Sequence, residues 1–294
     1  MRISDLGRTQ GALNTLHLHM DSMERARNQL GTGKRILRPS DDVPGTSRVL
    51  SLRSTISANQ QAQRNAEDGL TWVQLADTAL QDVVSRLHRA KELAVTGATS
   101  TSNVAGAGLA AEVSALRDDL VELANTRHQG RGLFAGFSGE DAVAKVGSVW
   151  TYQGDQGEIS RRIGEGTSVT VNVTADDVFG FTGGRDLFSV LDDLESRLLA
   201  GDSAAVGSTI DEIDAALDDA LAGLSKLGGA GERLESARDR LTNDRLVLQE
   251  NLSSIEDADL AGAVVGLEMQ QASYQAALAA MRSIDFASLA GFLG

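Results

Sequence analysis

Apolar positions near the C-terminal end fall into one rhythm. Leu260, Val264, Leu267, Gln271, Tyr274, Leu278 and Met281 follow one another at alternating steps of four and three residues. Such spacing lays an apolar stripe along one side of a helix and requires a partner helix to cover it. Near the other end Leu6, Leu13, Leu16, Met20, Met23 and Leu30 keep the same rhythm, with Thr9 and Arg27 as weak members. Two complementary seams at opposite ends predict paired terminal helices and a chain that leaves and returns to one place.

The intervening pattern predicts the other elements. A first helix over 3–30 should end at Gly31-Thr32-Gly33, followed by an irregular link carrying Lys34, Arg35, Arg38 and Pro39. Ser40, Asp41 and Asp42 offer capping oxygens, and Pro44 suits a first helical turn. Val49, Leu52, Ile56, Ala66, Leu70, Val73, Leu80, Val84, Leu87 and Ala94 then share one heptad frame. A helix from 44 to about 96 would run roughly 80 Å, the length of a rod. Small residues over 97–108 read as a turn, and Leu109 to Leu123 read as a return helix reaching about Arg127.

From about 146 to 181 the period changes to two. Val149–Tyr152 and Glu158–Ile163 read as a hairpin turning at Gly154-Asp155-Gln156-Gly157, with Val169, Val171 and Val173 on a further strand. Helical spacing returns over 187–198 and 206–224, is expected to break at Gly228-Gly229-Ala230-Gly231, and resumes from Leu234 to Ile255. The register changes between Ile255 and Leu260, so the two halves of the last helix should face differently. The predicted fold is mainly α: an elongated coiled-coil or helical-bundle rod made from both chain ends, with a small β-rich insertion. The expected divisions are a terminal domain (1–40 with 257–294), a rod (41–140 with 186–256) and an outer insertion (141–185).

Composition agrees with long helices. The 294 residues include two prolines, where average usage gives about 15, and both lie in the 39–44 stretch. Aromatics at 4% argue against a compact enzyme. A net charge of −14 argues against nucleic acid or an anionic membrane as partner. Cysteine is absent, which removes disulfides and thiolate metal sites. The first 20 residues lack the apolar core of a secretory signal, and no run is long enough to span a membrane. Export, if it occurs, is expected without cleavage.

No catalytic constellation emerges. Gly33-Lys34 lacks the upstream glycine and following hydroxyl of a phosphate loop. His17 and His19 point to different sides of a helix, and they are read, with His88 and His128, as solvated surface residues. Glu256-Asp257-Asp259 and Asp218-Asp219 lack the glycine and alternating ligands of a calcium loop. No cofactor, metal or catalytic residue is expected. The terminal seams leave apolar surface uncovered as a two-helix pair, so neighbouring copies are expected to cover them and to order the ends.

Several stretches resemble the bacterial flagellin superfamily. Gln29 to Ile36 with Pro39-Ser40-Asp41-Asp42 is similar to its L-S/T-G-K/L-R-I … S-D-D signature. Asn65 to Leu70 resembles N-A-x-D-G, Lys91 to Ala94 resembles R/K-E-L-A, and Ile255 to Ala261 resembles I-E-D-A-D-x-A. Within the superfamily, Met1-Arg2-Ile3-Ser4, Arg38 to Pro44, Gly130 to Gly136, Tyr152 to Asp155 and Ser283 to Leu289 are more similar to its hook-associated junction branch than to filament flagellin. Gly132 stands where that branch usually has an aromatic.

The resemblance implies a structural adaptor between the flagellar hook and the filament, exported unfolded through the flagellum's own channel. The implied partners are copies of itself in a ring or helical layer, the first hook-associated protein, flagellin, and a cytoplasmic export chaperone on the C-terminal helix, roughly 260–293. The alternative it leaves is a flagellin that polymerises into the filament itself. An enzyme housed in the insertion is a third reading, opposed by a stretch without His, Cys or a metal pattern. The expected assembly residues are Leu6, Leu13, Leu16, Met20, Met23, Leu30, Leu260, Val264, Leu267, Tyr274, Leu278 and Met281. Lys34, Arg35 and Arg38 form an expected charged link between subunits.

Overall fold

The computed structural model describes the backbone of residues 2–99 and 103–290, and side chains at 10, 11, 13–99 and 106–280. The fold is mainly α with a small β-rich insertion, in the order α1 (Arg2–Thr32), α2 (Val43–Thr99), α3 (Asn103–Ala124), β1 (Arg127–His128), β2 (Arg131–Gly132), β3 (Val143–Val146), β4 (Val149–Tyr152), β5 (Ser160–Gly164), β6 (Thr167–Thr170), α4 (Ala175–Phe179), α5 (Leu187–Ala200), α6 (Ser203–Glu256) and α7 (Leu260–Ala290). The chain forms two compact units, Met1–Ala58 with Arg245–Gly294 and Asn59–Asp244.

In the first unit α1 packs against α7. Gly33 ends α1 at φ 70°, a left-handed conformation that glycine adopts without a Cβ penalty. The link then turns on two acidic side chains. Asp41 Oδ2 accepts from the amides of Leu37 and Arg38 at 3.1 and 2.8 Å. Asp42 Oδ1 accepts from the Gly45 amide at 2.8 Å and so caps α2. That amide, more than the nearby Arg35, holds the Asp42 carboxyl below its ordinary value. A Cβ on Gly45 would lie 2.3 Å from Asp42 Oδ2, so the capping carboxylate would have to shift to admit one.

The second unit holds the large core. Leu80 and Leu87 of α2, Leu120 of α3, Phe134, Phe179, Phe188, Leu191 and Leu194, with Ile213 and Leu227 of α6, are fully buried there. α3 lies close on α5: a Cβ on Gly106 would sit 2.5 Å from the Leu198 carbonyl oxygen. Thr174 and Asp177 close a reciprocal capping box at the start of α4.

Four expectations are corrected. The glycine run at 228–231 does not break the helix, since α6 continues through it. Each helical glycine costs about 1 kcal/mol, but Leu227, Ala230 and Leu234 are buried around it and hold the turn in place. The small-residue stretch 97–108 is helical over 97–99 and 103–108. The hairpins also pair differently. β4 pairs with β3 through Gly147 (φ 68°), and β5 pairs with β6 through Gly166 (φ 73°). The stretch 154–157 is a loop instead, organised by Asp155 Oδ1, which accepts from Phe137 and Gly157 amides at 2.8 Å. Two histidines are not plainly solvated: half-buried His19 shares a 2.8 Å hydrogen bond with Gln270, and His128 lies edge-on to Trp72 at 6.0 Å.

Candidate assembly interface

The terminal helices divide their apolar residues between two directions. On α1 Leu16 is buried and Met23 and Leu30 are half-buried, while Leu13 and Met20 remain 46% and 50% exposed. On α7 Leu267 and Tyr274 are half-buried, while Leu260, Val264 and Leu278 are exposed at 50%, 45% and 36%. The side chains of Leu6 and Met281 lie outside the described residues. Ala26, Gly262, Ala263 and Gly266 line a shallow groove along the pair. Gln270 adds the hydrogen bond to His19.

Sequence reasoning missed part of the outward face. Leu18, Val265 and Met269 are also exposed, at 63%, 57% and 65%. They fall outside the four-three spacing, and the signal for them is the near-continuous apolar character of 260–269. Two packed helices can cover only one side each, so apolar residues on the remaining sides face water. An exposed apolar stripe of this kind is a candidate surface for contact with another molecule.

The charged link is folded back on its own chain. Gly33 to Arg35 run antiparallel to the end of α6, with Lys34 bridged to Asp257. The Arg35 amide donates to the Glu256 carbonyl at 2.7 Å, and the Ala258 amide donates to the Gly33 carbonyl at 2.9 Å. Glu256, 4% exposed, accepts from Lys34 and from Arg53, the latter at 2.6 Å. Burial alone would push its carboxyl up, but Lys34 and Arg53 prevail and hold it below its ordinary value. Arg35 pairs with Asp42 at 3.2 Å and donates to the Ile255 carbonyl at 2.9 Å. Arg38 makes no ion pair among the described residues, and it is the member of the predicted trio whose charge is unspent.

Among the described residues no group of three His, Asp or Glu is placed to hold a metal ion. No described helix is long and apolar enough to cross a membrane. What the terminal unit presents is therefore an apolar helical surface beside a clasp of buried charge.

Comparison with known proteins bears on this arrangement. The model of the bacterial flagellin N-terminal helical region matches residues 3–138, and that of the bacterial flagellin C-terminal helical region matches 210–290. Together they cover most of the chain, which belongs to the flagellin family. Within that family it is 27% identical over 286 residues to flagellar hook-associated protein 3 of Escherichia coli, covering 89% of this chain and 90% of the relative. It is 26% identical over 282 residues to the flagellin of Bacillus subtilis, covering 89% and 88%. Its fold matches the crystal structure of the flagellar junction protein FlgL from Legionella pneumophila, at 17% identity with a TM-score of 0.60, covering 72% of this chain and all of that one.

Proposed function

We propose that the chain is a structural adaptor subunit of the bacterial flagellum that joins the hook to the flagellin filament. The observation that carries this reading is the outward apolar stripe on α1 and α7, in a chain of the flagellin family similar over 89% of its length to a hook-associated protein. Leu13, Met20, Leu260, Val264 and Leu278 gain burial when helices of neighbouring copies close over them. Each fully buried side chain of this kind contributes about 1.5–3 kcal/mol. A surface that differs from its complement repeats head to tail and closes into a ring or grows as a helical layer.

The adaptor meets the first hook-associated protein on one side and flagellin on the other, and acts by shape and contact without catalysis. The assembly domain is 1–40 with 257–294, the rod is 41–140 with 186–256, and 141–185 is the outer insertion. An export chaperone covers the apolar C-terminal helix, roughly 260–293, before secretion to the extracellular flagellum.

A second reading, a flagellin that builds the filament itself, is favoured by the near-equal similarity to Bacillus subtilis flagellin. Seeded assembly separates the two. Purified chain is added to hooks bearing the first hook-associated protein and to filament fragments, and the products are viewed by electron microscopy. A short self-limiting layer on the hooks is expected; long filaments grown from this chain alone would overturn the adaptor reading.

A further inference from the structure

The acidity of the chain is unevenly placed. The first unit, Met1–Ala58 with Arg245–Gly294, holds 11 Lys and Arg against 11 Asp and Glu. The second unit, Asn59–Asp244, holds 16 against 30, and so carries the whole net charge of −14. Within the first unit the stretch 33–58 is basic, with Lys34, Arg35, Arg38, Arg48 and Arg53 against Asp41 and Asp42. Copies of this chain packed side by side therefore bring strongly acidic surfaces together. At physiological salt, charges more than about 8 Å apart are screened, so an attraction between copies has to come from cations in direct contact with the carboxylates.

The first unit offers a groove suited to that contact. It encloses about 450 Å³ and is floored by Ile36, Leu37, Val49 and Leu50. Leu37 and Leu50 are still 38% and 60% exposed. Lys34 and Arg53 at its edge are tied to Glu256, but Arg38 at the rim has no ion pair among the described residues. The groove thus combines exposed apolar carbon with unspent positive charge.

The second unit carries the matching chemistry on α6. Many of its other carboxylates are neutralised within the chain, as Asp68 is by Arg161, Asp214 by Lys91, and Asp192 and Glu195 by Arg117. Asp218 and Asp219 have no ion pair among the described residues. Burial first, and then the charges of Asp218 and Asp177, push the Asp219 carboxyl up; in this cluster Lys226 reaches Asp177 at 3.8 Å and leaves Asp218 without an ion pair among the described residues. Leu221, three residues beyond Asp218 on the same helix and 42% exposed, adds an apolar anchor.

We infer that the groove of the first unit docks the acidic face of α6, around Asp218 and Leu221, on a second copy of the chain. Leu221 fills the apolar floor while Arg38 at the rim meets Asp218. The two surfaces are different, so the contact is head to tail and leaves a free groove and a free acidic face at the ends of every pair, ready for the next copy. The inference rests on the self-assembly part of the adaptor reading and adds a second contact to the terminal helices.

The absence of cysteine makes the test direct. Chain carrying Pro39→Cys is mixed with chain carrying Ala222→Cys at high concentration and oxidised mildly, and the mixed disulfide is compared with that from Pro39→Cys and Gln74→Cys; Arg38, Asp218 and Leu221 stay in place. About tenfold more of the 39–222 product is expected, the ratio that tenfold tighter pairing gives, with the excess falling as salt is raised. Equal yields overturn the docking face. So does capture of Pro39→Cys by flagellin or another hook protein in place of this chain when these are added to the mixture. A complementary pair keeps the result independent of oxidation: Arg38→Asp should weaken self-association, and Asp218→Arg in the same chain should restore it. A chain that forms the hook layer without the 39–222 product retains the adaptor reading and loses this contact. A chain that forms the product but grows long filaments does the reverse.

Discussion

Replacing Glu256 by alanine should loosen the terminal unit while leaving the second unit folded. The carboxylate is 4% exposed and receives hydrogen bonds from Lys34 and Arg53. Removing one partner of a fully buried ion pair costs about 3–5 kcal/mol because a stranded charge stays buried. Here the stranded groups are Lys34 and Arg53, whose side chains are 42% and 51% exposed and regain water. The loss should therefore be nearer that of charge-assisted hydrogen bonds, about 1–3 kcal/mol.

Hydrogen exchange reads it locally. The amides of Arg35 and Ala258 are held by the same clasp, and their exchange should quicken by about tenfold to a hundredfold. Amides around Leu80 and Leu120 in the core of the second unit should not change. Exchange at Arg35 and Ala258 that matches the parent chain would refute the reasoning, as would equal acceleration in both units. Acid should reproduce the effect. The Glu256 carboxyl titrates in the folded chain below its ordinary 4.5. Its contribution is complete above that value and is lost as pH falls through the depressed folded value. Glu256→Gln, neutral at every pH, should remove this part of the acid dependence.

Other substitutions probe the remaining elements. Gly229→Ala should stabilise the chain by about 0.5–1 kcal/mol, because Gly229 is helical and a Cβ meets nothing within 4 Å; urea unfolding measures it. Gly136→Ala should cost more than Gly147→Ala in the same measurement. Both positions have positive φ, about 1–3 kcal/mol of strain each, but a Cβ on Gly136 also strikes Asp155 Oδ1 at 2.3 Å. Arg117→Met should lower the melting temperature and shift the fluorescence of Trp150. It strands Glu195 and takes one of the cations from Asp192, which keeps Lys145 at 2.8 Å and accepts from the Trp150 indole at 2.9 Å. Leu278→Asp should leave the melting temperature of the free chain within a few degrees, since Leu278 is 36% exposed. Incorporation into flagella, scored by microscopy, should nevertheless fail, and normal motility would contradict the interface.

What the sequence made legible follows from how far each signal reaches along the chain. Heptad spacing is local and repeats, so α2, α5 and the outer parts of α6 could be read from their leucines and valines alone. The glycine run at 228–231 misled because propensity is a local quantity, whereas the burial of Leu227, Ala230 and Leu234 that overrides it comes from elements distant in sequence. Hairpin pairing failed for a related reason. Gly147 and Gly166 take up left-handed turns, while the more conspicuous Gly154 to Gly157 stretch is held as a loop by Asp155 reaching back to Phe137. The terminal seams were visible as periodicity, but periodicity cannot say which member of a seam faces its own partner. Leu16 and Leu267 turn toward the α1–α7 pair, and Leu13 and Leu260 turn away from it. The basic link shows the same limit most clearly. Lys34, Arg35 and Arg38 look equivalent as a run of cations, yet Glu256 and Asp42, from opposite ends of the chain, neutralise two of them. Only the folded clasp distinguishes a charge that holds the subunit together from one that remains available to a neighbour.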